Sequence, residues 1–240
     1  MHLSPEDLRE LQLEHLGKSP ELILASFQDT YGDDLVLASS LGAEDQVLTH
    51  MLLAINPKAR LFFLDTGRLH QETYDVMAIT MAKYGMRYEV YFPDRDDVET
   101  LVREKGPNSF YDSVENRKAC CGIRKVAPLK RALQGVHAWV TGQRKDQSIT
   151  RTTLEEIEWD AAHHCIKLNP LADWTHADVW AYIEAHDIPV NYLHKKGYPS
   201  IGCAPCTRAV KPGEDPRAGR WWWENPDGKE CGLHVKGADS

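Results

Sequence analysis

Four cysteines in two pairs carry the first chemistry legible in this chain: Cys120 beside Cys121, and Cys203 separated from Cys206 by Ala204-Pro205. Four soft thiolates make either a zinc site or an iron–sulfur cluster. Structural zinc usually takes chelating pairs with roughly two to four residues between the cysteines, a spacing that Cys203 and Cys206 satisfy and the adjacent pair does not. Neighbouring side chains reach two irons of a cubane more comfortably than two corners of one small tetrahedron. The spacing therefore favours a 4Fe-4S cluster over zinc, with ordinary buried thiols third. A further cysteine, Cys231, stands in a Gly/Pro/Asp/Lys-rich stretch where a structural thiol has no core to enter and an idle exposed one is a liability, so its presence needs an explanation. Cys165 follows His163-His164, a grouping that invites a metal reading, but a free, partly buried thiol is the better expectation.

These residues need elements to hold them. With 240 residues the chain has length for one core plus a tail, read as a domain over 1–224 and a flexible tail over 225–240. Ser4-Pro5 and Ser19-Pro20 place a capping hydroxyl ahead of a first-turn proline, which predicts two helices within a prelude, 1–33, that carries no obvious chemistry. From Leu35 onward short apolar runs alternate with helical spacing. Strands are predicted at Leu35–Ala38, Arg60–Leu64, Tyr88–Phe92 and His137–Thr141, with a further one running from Ile166 toward Leu171. Helices are predicted at Gln46–Ala54, Gln71–Tyr84, Asp96–Lys105 and Ala177–His186. The pattern implies an α/β fold with a central, mostly parallel sheet and helices on both faces.

Two loops at strand ends stand where such sheets bind ligands. Ser39, Ser40, Leu41, Gly42, Ala43, Glu44 and Asp45 join a strand to a helix, so backbone N–H groups, the helix dipole and two hydroxyls can converge on an anion. Asp65, Thr66 and Gly67 follow the second strand. Arg144 and Arg151 offer fork-shaped donors suited to phosphate or sulfate, and Lys125, Arg217 and Arg220 add charge near the cysteines in sequence. The net charge of −8 argues against nucleic acid or an anionic membrane surface as partner. With no apolar run of membrane-spanning length, a cytoplasmic setting is expected, where cysteines serve as ligands and nucleophiles rather than disulfides.

Lys118-Ala119-Cys120-Cys121-Gly122-Ile123-Arg124-Lys125 and Gly202-Cys203-Ala204-Pro205-Cys206 resemble the assimilatory adenylyl-sulfate (APS) reductases, cluster-bearing relatives of phosphoadenylyl-sulfate (PAPS) reductase. The Ser39–Asp45 loop resembles the PP-loop of adenine-nucleotide alpha-hydrolases, with Leu41 where relatives often carry Ser or Gly. Glu230-Cys231-Gly232-Leu233-His234 looks like the family's catalytic segment. The resemblance implies a 4Fe-4S cluster on Cys120, Cys121, Cys203 and Cys206. It also implies adenylyl sulfate held among the PP-loop, Asp65–Gly67, Lys125 and the arginines, with His234 near the substrate. Cys231 would be sulfonated, and thioredoxin or a glutaredoxin-like thiol donor would release sulfite. Homo-oligomer formation is left open. The rival readings are PAPS reduction, alone or beside APS, and an ATP-dependent PP-loop sulfurtransferase.

Overall fold

A computed structural model describes residues 3–147 and 153–224. Its six strands form one mostly parallel sheet in the order β3-β2-β1-β4-β6-β5, where β1 is Leu35–Ser39, β2 Arg60–Leu64, β3 Glu89–Tyr91, β4 Ala138–Val140, β5 Ile157–Asp160 and β6 Cys165–Leu168. β1 pairs with β4 and β4 with β6 in parallel, while β5 runs antiparallel to β6. Strand β5 is an addition to the sequence reading, though Ile157-Glu158-Trp159-Asp160 has the apolar–polar alternation of a half-buried strand. No helix among the described residues is long and apolar enough to cross a membrane.

Packing divides the chain into two compact units. The first takes in the described residues of Met1–Phe62, Glu72–Glu89 and Gly135–Tyr192. Its helices α1 (Pro5–His15) and α2 (Pro20–Tyr31) start at Ser4 and Ser19, each hydroxyl accepting a backbone N–H of the first turn. Gln12 of α1 donates to the carbonyl of Ile157 at 2.8 Å, occupying an acceptor on edge strand β5. Ile23, Leu24 and Phe27 of α2 are fully buried with Leu35 and Leu37 of β1. α3 (Ala43–Ile55) begins three residues before the expected Gln46, because Gly42 acts as its N-cap and Glu44 and Asp45 fall in its first turn. α4 (Gln71–Tyr84) has the predicted bounds, and α8 (His176–Ala185) begins at Thr175 with a capping box to Asp178.

The second unit takes in Phe63–Gln71, Val90–Gln134 and the described part of Leu193–Ser240. α5 (Arg95–Lys105) is capped by Asp94, whose carboxylate accepts from the Asp96 and Asp97 N–H groups. α6 (Val114–Cys121) starts at Ser113 and ends on the cysteine pair. A single π-helical turn, Gly122–Val126, then leads into α7 (Ala127–Ala132), with Pro128 in its first turn. The helix thus restarts at Pro128, directly after an irregularity that composition does not announce.

Candidate active site

In the first unit the Ser39–Asp45 loop is folded around its own acid. Leu41 has φ +62° yet is buried, and its N–H reaches the Ser39 hydroxyl at 3.2 Å. The Ser40 N–H and hydroxyl both donate to Asp45 at 2.6 Å. Gly142 closes the other side: a Cβ there would lie 2.4 Å from the Asp45 carboxylate and 2.8 Å from the Glu44 Cβ, so only glycine allows the approach. Burial pushes Asp45 up to about 6, against the hydrogen bonds from Ser40. Nearby Tyr88 is pushed by burial up to about 12, against the pull of the Thr49 and Ser39 hydroxyls, and stays protonated. Sequence reading had no signal for Tyr88 beyond its place in a strand.

Asp45 carries a measurable consequence. Its folded-state value lies above that of an unfolded Asp, so the folded chain holds the extra proton more tightly. Its contribution is therefore favourable at low pH and is lost as pH rises from about 4 to about 6, by on the order of 2–3 kcal/mol. Denaturant unfolding at about pH 4 and pH 7 should show this slope in the wild type and a reduced one in Asp45→Asn. Equal slopes in the two proteins would show that Asp45 titrates normally.

Arg144 has a use the residue type alone did not reveal. It is 3 % exposed, and its Nε and Nη2 donate to Glu44 at 3.0 and 2.9 Å, while Nη1 reaches Asp146 and the Trp174 carbonyl at 3.2 and 3.1 Å. All three guanidinium nitrogens are thus engaged with protein oxygens, and Arg144 braces the loop through Glu44. The Asn169-Pro170-Leu171 stretch is likewise architectural. Asn169 is fully buried, accepts from the Thr141 hydroxyl at 2.6 Å and donates to the Glu155 carbonyl at 2.8 Å.

In the second unit the four cysteines line one pocket, together with Arg68, Phe110, Arg117, Arg124, Lys125 and Pro205. α6 delivers Cys120 and Cys121. The turn Ala204–Cys206 presents the other pair, with the Ala204 N–H fixed on the Arg68 carbonyl at 2.8 Å. Thr66 lies 3.2 Å from the Cys203 sulfur through its hydroxyl, and its carbonyl accepts from Arg124 at 2.7 Å. Asp65 accepts the Gly67 N–H at 2.8 Å, so the Asp-Thr-Gly turn and the second cysteine pair are tied together. Burial, then the neighbouring thiols of Cys203 and Cys121, push Cys206 up to about 12, and burial raises Cys120 against the pull of Arg124. Arg220 is buried with its guanidinium against Gly202, where a Cβ would meet it at 2.3 Å.

Among the described residues no group of three or more His, Cys, Asp or Glu is placed to hold a metal ion. His163 instead pairs with Asp160 at 2.8 Å across the β5–β6 turn. Cys165 is fully rather than partly buried, and burial pushes its thiol up to about 12. Of the residues singled out from sequence, the first unit brings together Ser39, Ser40, Gly42, Ala43, Glu44, Asp45 and Arg144. The second brings together Asp65, Thr66, Gly67, Lys125, the four cysteines and Arg220, with Arg217 in the turn before Arg220. Arg151, Cys231 and His234 lie outside the described residues. Arg68 and Phe110 belong to the cavity without having been singled out. The place of Arg68 directly after Asp-Thr-Gly was the available signal.

The family model for the phosphoadenosine phosphosulfate reductase domain matches residues 34–209. A relative from Burkholderia cepacia named adenosine 5′-phosphosulfate reductase is 58 % identical over 203 residues, covering 85 % of this chain and 81 % of that protein. One of the same name from Neisseria meningitidis serogroup B (strain ATCC BAA-335 / MC58) is 47 % identical over 93 % of this chain and 95 % of its own length. Among solved structures, phosphoadenylyl-sulfate (PAPS) reductase from Candida auris in a phosphate complex has a TM-score of 0.75 at 29 % identity, covering 88 % of this chain and 99 % of that one. Candida glabrata FMN adenylyltransferase, at 16 % identity and TM-score 0.57 over 100 % of this chain and 81 % of its own, shares the fold alone.

Proposed function

The chain belongs to the phosphoadenosine phosphosulfate reductase family, and from that premise we infer that it is an oxidoreductase that reduces adenylyl sulfate to sulfite and AMP in sulfate assimilation. The observation that carries the APS rather than the PAPS reading, beside the relatives' activity, is the meeting of all four cysteines at one cavity. Although no three of them are placed to hold a single ion, that donor set fits a 4Fe-4S cluster, which takes one thiolate per iron: four thiols, with Arg68, Arg124 and Lys125 around them to offset the net negative charge of a thiolate-bound cluster. Cys120, Cys121, Cys203 and Cys206 would hold it, and bound there it would supply a fixed electrostatic field rather than electrons, since both electrons come from thiols.

The loop Ser39–Asp45 binds the nucleotide through the backbone N–H groups at the start of α3, its Ser40 donors being held by Asp45, and Arg144 acts through Glu44 to hold the loop's shape. Lys125, Arg217 and Arg220 oppose the negative charge of the phosphosulfate, a role shared with Arg151. The Cys231 thiolate attacks the sulfur, the bond from sulfur to the bridging phosphate oxygen breaks, and AMP leaves with that electron pair. A thiolate of reduced thioredoxin then attacks the Cys231 sulfur. Sulfite departs, and thioredoxin's second thiol closes its own disulfide and frees Cys231. A reducing cytoplasm suits a chain whose nucleophile must return to the thiol.

The test is a competition assay. Anaerobically purified protein with reduced thioredoxin should prefer adenylyl sulfate over its 3′-phosphorylated form in kcat/KM. Equal or reversed preference would remove the APS assignment and leave the family membership standing.

A further inference from the structure

The last described residues, 220–224, are bound to both cysteine segments of the second unit. Arg117 lies three residues, almost one helical turn, before Cys120 on α6. Its Nε and Nη2 donate to the two carboxylate oxygens of Glu224 at 2.9 and 2.8 Å, with side-chain exposures of 2 % and 4 %. The guanidinium also stacks on Trp221 at 4.6 Å, and that of Arg220 lies 4.9 Å from the same ring. Trp221 is buried with φ +43°, an unusual backbone for a bulky residue, and its N–H donates to the Cys206 carbonyl at 3.2 Å. Trp223 packs on Tyr111 at 4.4 Å. A bidentate, buried Arg–carboxylate pair is the most directional contact a side chain offers, and it costs desolvation that a packed apolar pair would not. Its place therefore asks for a reason other than stability.

We propose that the Arg117–Glu224 clasp, seated on Trp221, is a positioning device: it fixes the root of the C-terminal arm to the helix that carries Cys120 and Cys121. Cys231 follows Glu224 by seven residues, so a fixed root confines its sulfur to within about 25 Å and sets the direction from which the arm departs. Arg117, Trp221 and Glu224 touch neither substrate nor reacting atoms. They act through the arm. The proposal rests on Cys231 being the nucleophile.

The experiment is single-turnover sulfonation of Cys231 by adenylyl sulfate, followed by mass spectrometry on the full, cofactor-loaded chain. Glu224→Gln keeps the shape and removes the charge. It should slow sulfonation about tenfold, because misdirection of an attacking group is costly, while AMP affinity stays within about twofold and iron content is unchanged. Moving the fixed root from Glu224 back to Trp221 lengthens the tether from seven residues to ten, which alone accounts for only about twofold. Inserting Gly-Ser-Gly-Ser after Glu224 should slow the step to a similar extent as Glu224→Gln. Combining the two should be no worse than either alone, because both undo one constraint. Glu224→Asp keeps the pair and draws the root in by one methylene, so its rate should fall between. If Glu224→Gln does not fold, the Asp variant and the insertion decide. An unchanged rate, multiplicative effects in the combination, or loss of iron or AMP affinity along with the rate each overturns the proposal. Cys231→Ser separates the two ideas. If that variant still releases sulfite, the nucleophile reading fails; if it is inactive and Glu224→Gln is not slowed, only the clasp fails.

Discussion

Replacing Cys231 with Ser should lower sulfite formation by at least about a thousandfold while leaving AMP binding and the cofactor in place. A serine hydroxyl at neutral pH is almost wholly protonated and is a poor nucleophile toward sulfur. A thiol held near cationic groups has a large thiolate fraction. In the wild type, substrate offered without thioredoxin should leave an adduct of about 80 Da, one SO₃, on the peptide containing Cys231, with one AMP released per chain. Reduced thioredoxin should discharge the adduct. Cys165 is the internal control, since it is a thiol with no exposed surface and burial keeps it protonated. An adduct on Cys165, or a stoichiometric AMP burst with no adduct anywhere, would falsify the covalent mechanism.

The second large effect concerns the cofactor. Protein purified without oxygen should be brown and hold about four iron and four sulfide per chain. Serine at any one of positions 120, 121, 203 or 206 should sharply lower both iron content and activity, whereas Cys165→Ser should leave iron content unchanged. The reason is geometric: Cys120, Cys121, Cys203 and Cys206 all line the same cavity, and Cys165 lies on β6 in the other unit. Stripping iron with a chelator should also lower the melting temperature, because two distant stretches of chain lose the group that joins them. A colourless preparation with stoichiometric zinc and full turnover would overturn the cluster reading.

Much of the fold was legible because local rules and packing agree here. Ser4, Ser19, Asp94 and Thr175 cap the helices their side chains announce, and β2 and α4 have the bounds that apolar spacing predicts. β5 escaped notice since a four-residue alternation is weak until a partner strand is known. The π turn at Gly122–Val126 left no mark in the sequence, because a widened turn needs no special residue. The site divides in the same way. Adjacent and near-adjacent cysteines announce a shared cofactor wherever the chain puts them. Arg144 announced only an oxyanion, and a Glu44 carboxylate 100 residues earlier in the chain satisfies a guanidinium as well as a sulfate does. The clasp was illegible for the same reason: Arg117 and Glu224 are 107 residues apart, and nothing in either one names the other.

The helices that hold no chemistry nonetheless decide how this protein can be handled. The family match begins at residue 34, which invites trimming the chain there and losing both α1 and α2. Without α1, the Ile157 carbonyl on edge strand β5 loses the amide of Gln12 and faces outward as an open acceptor. Without α2, the side chains that Ile23, Leu24 and Phe27 cover become surface. An unpaired strand edge beside a fresh apolar face is a template for other copies, so the shortened protein would fail by aggregating while every residue of the reaction was still present.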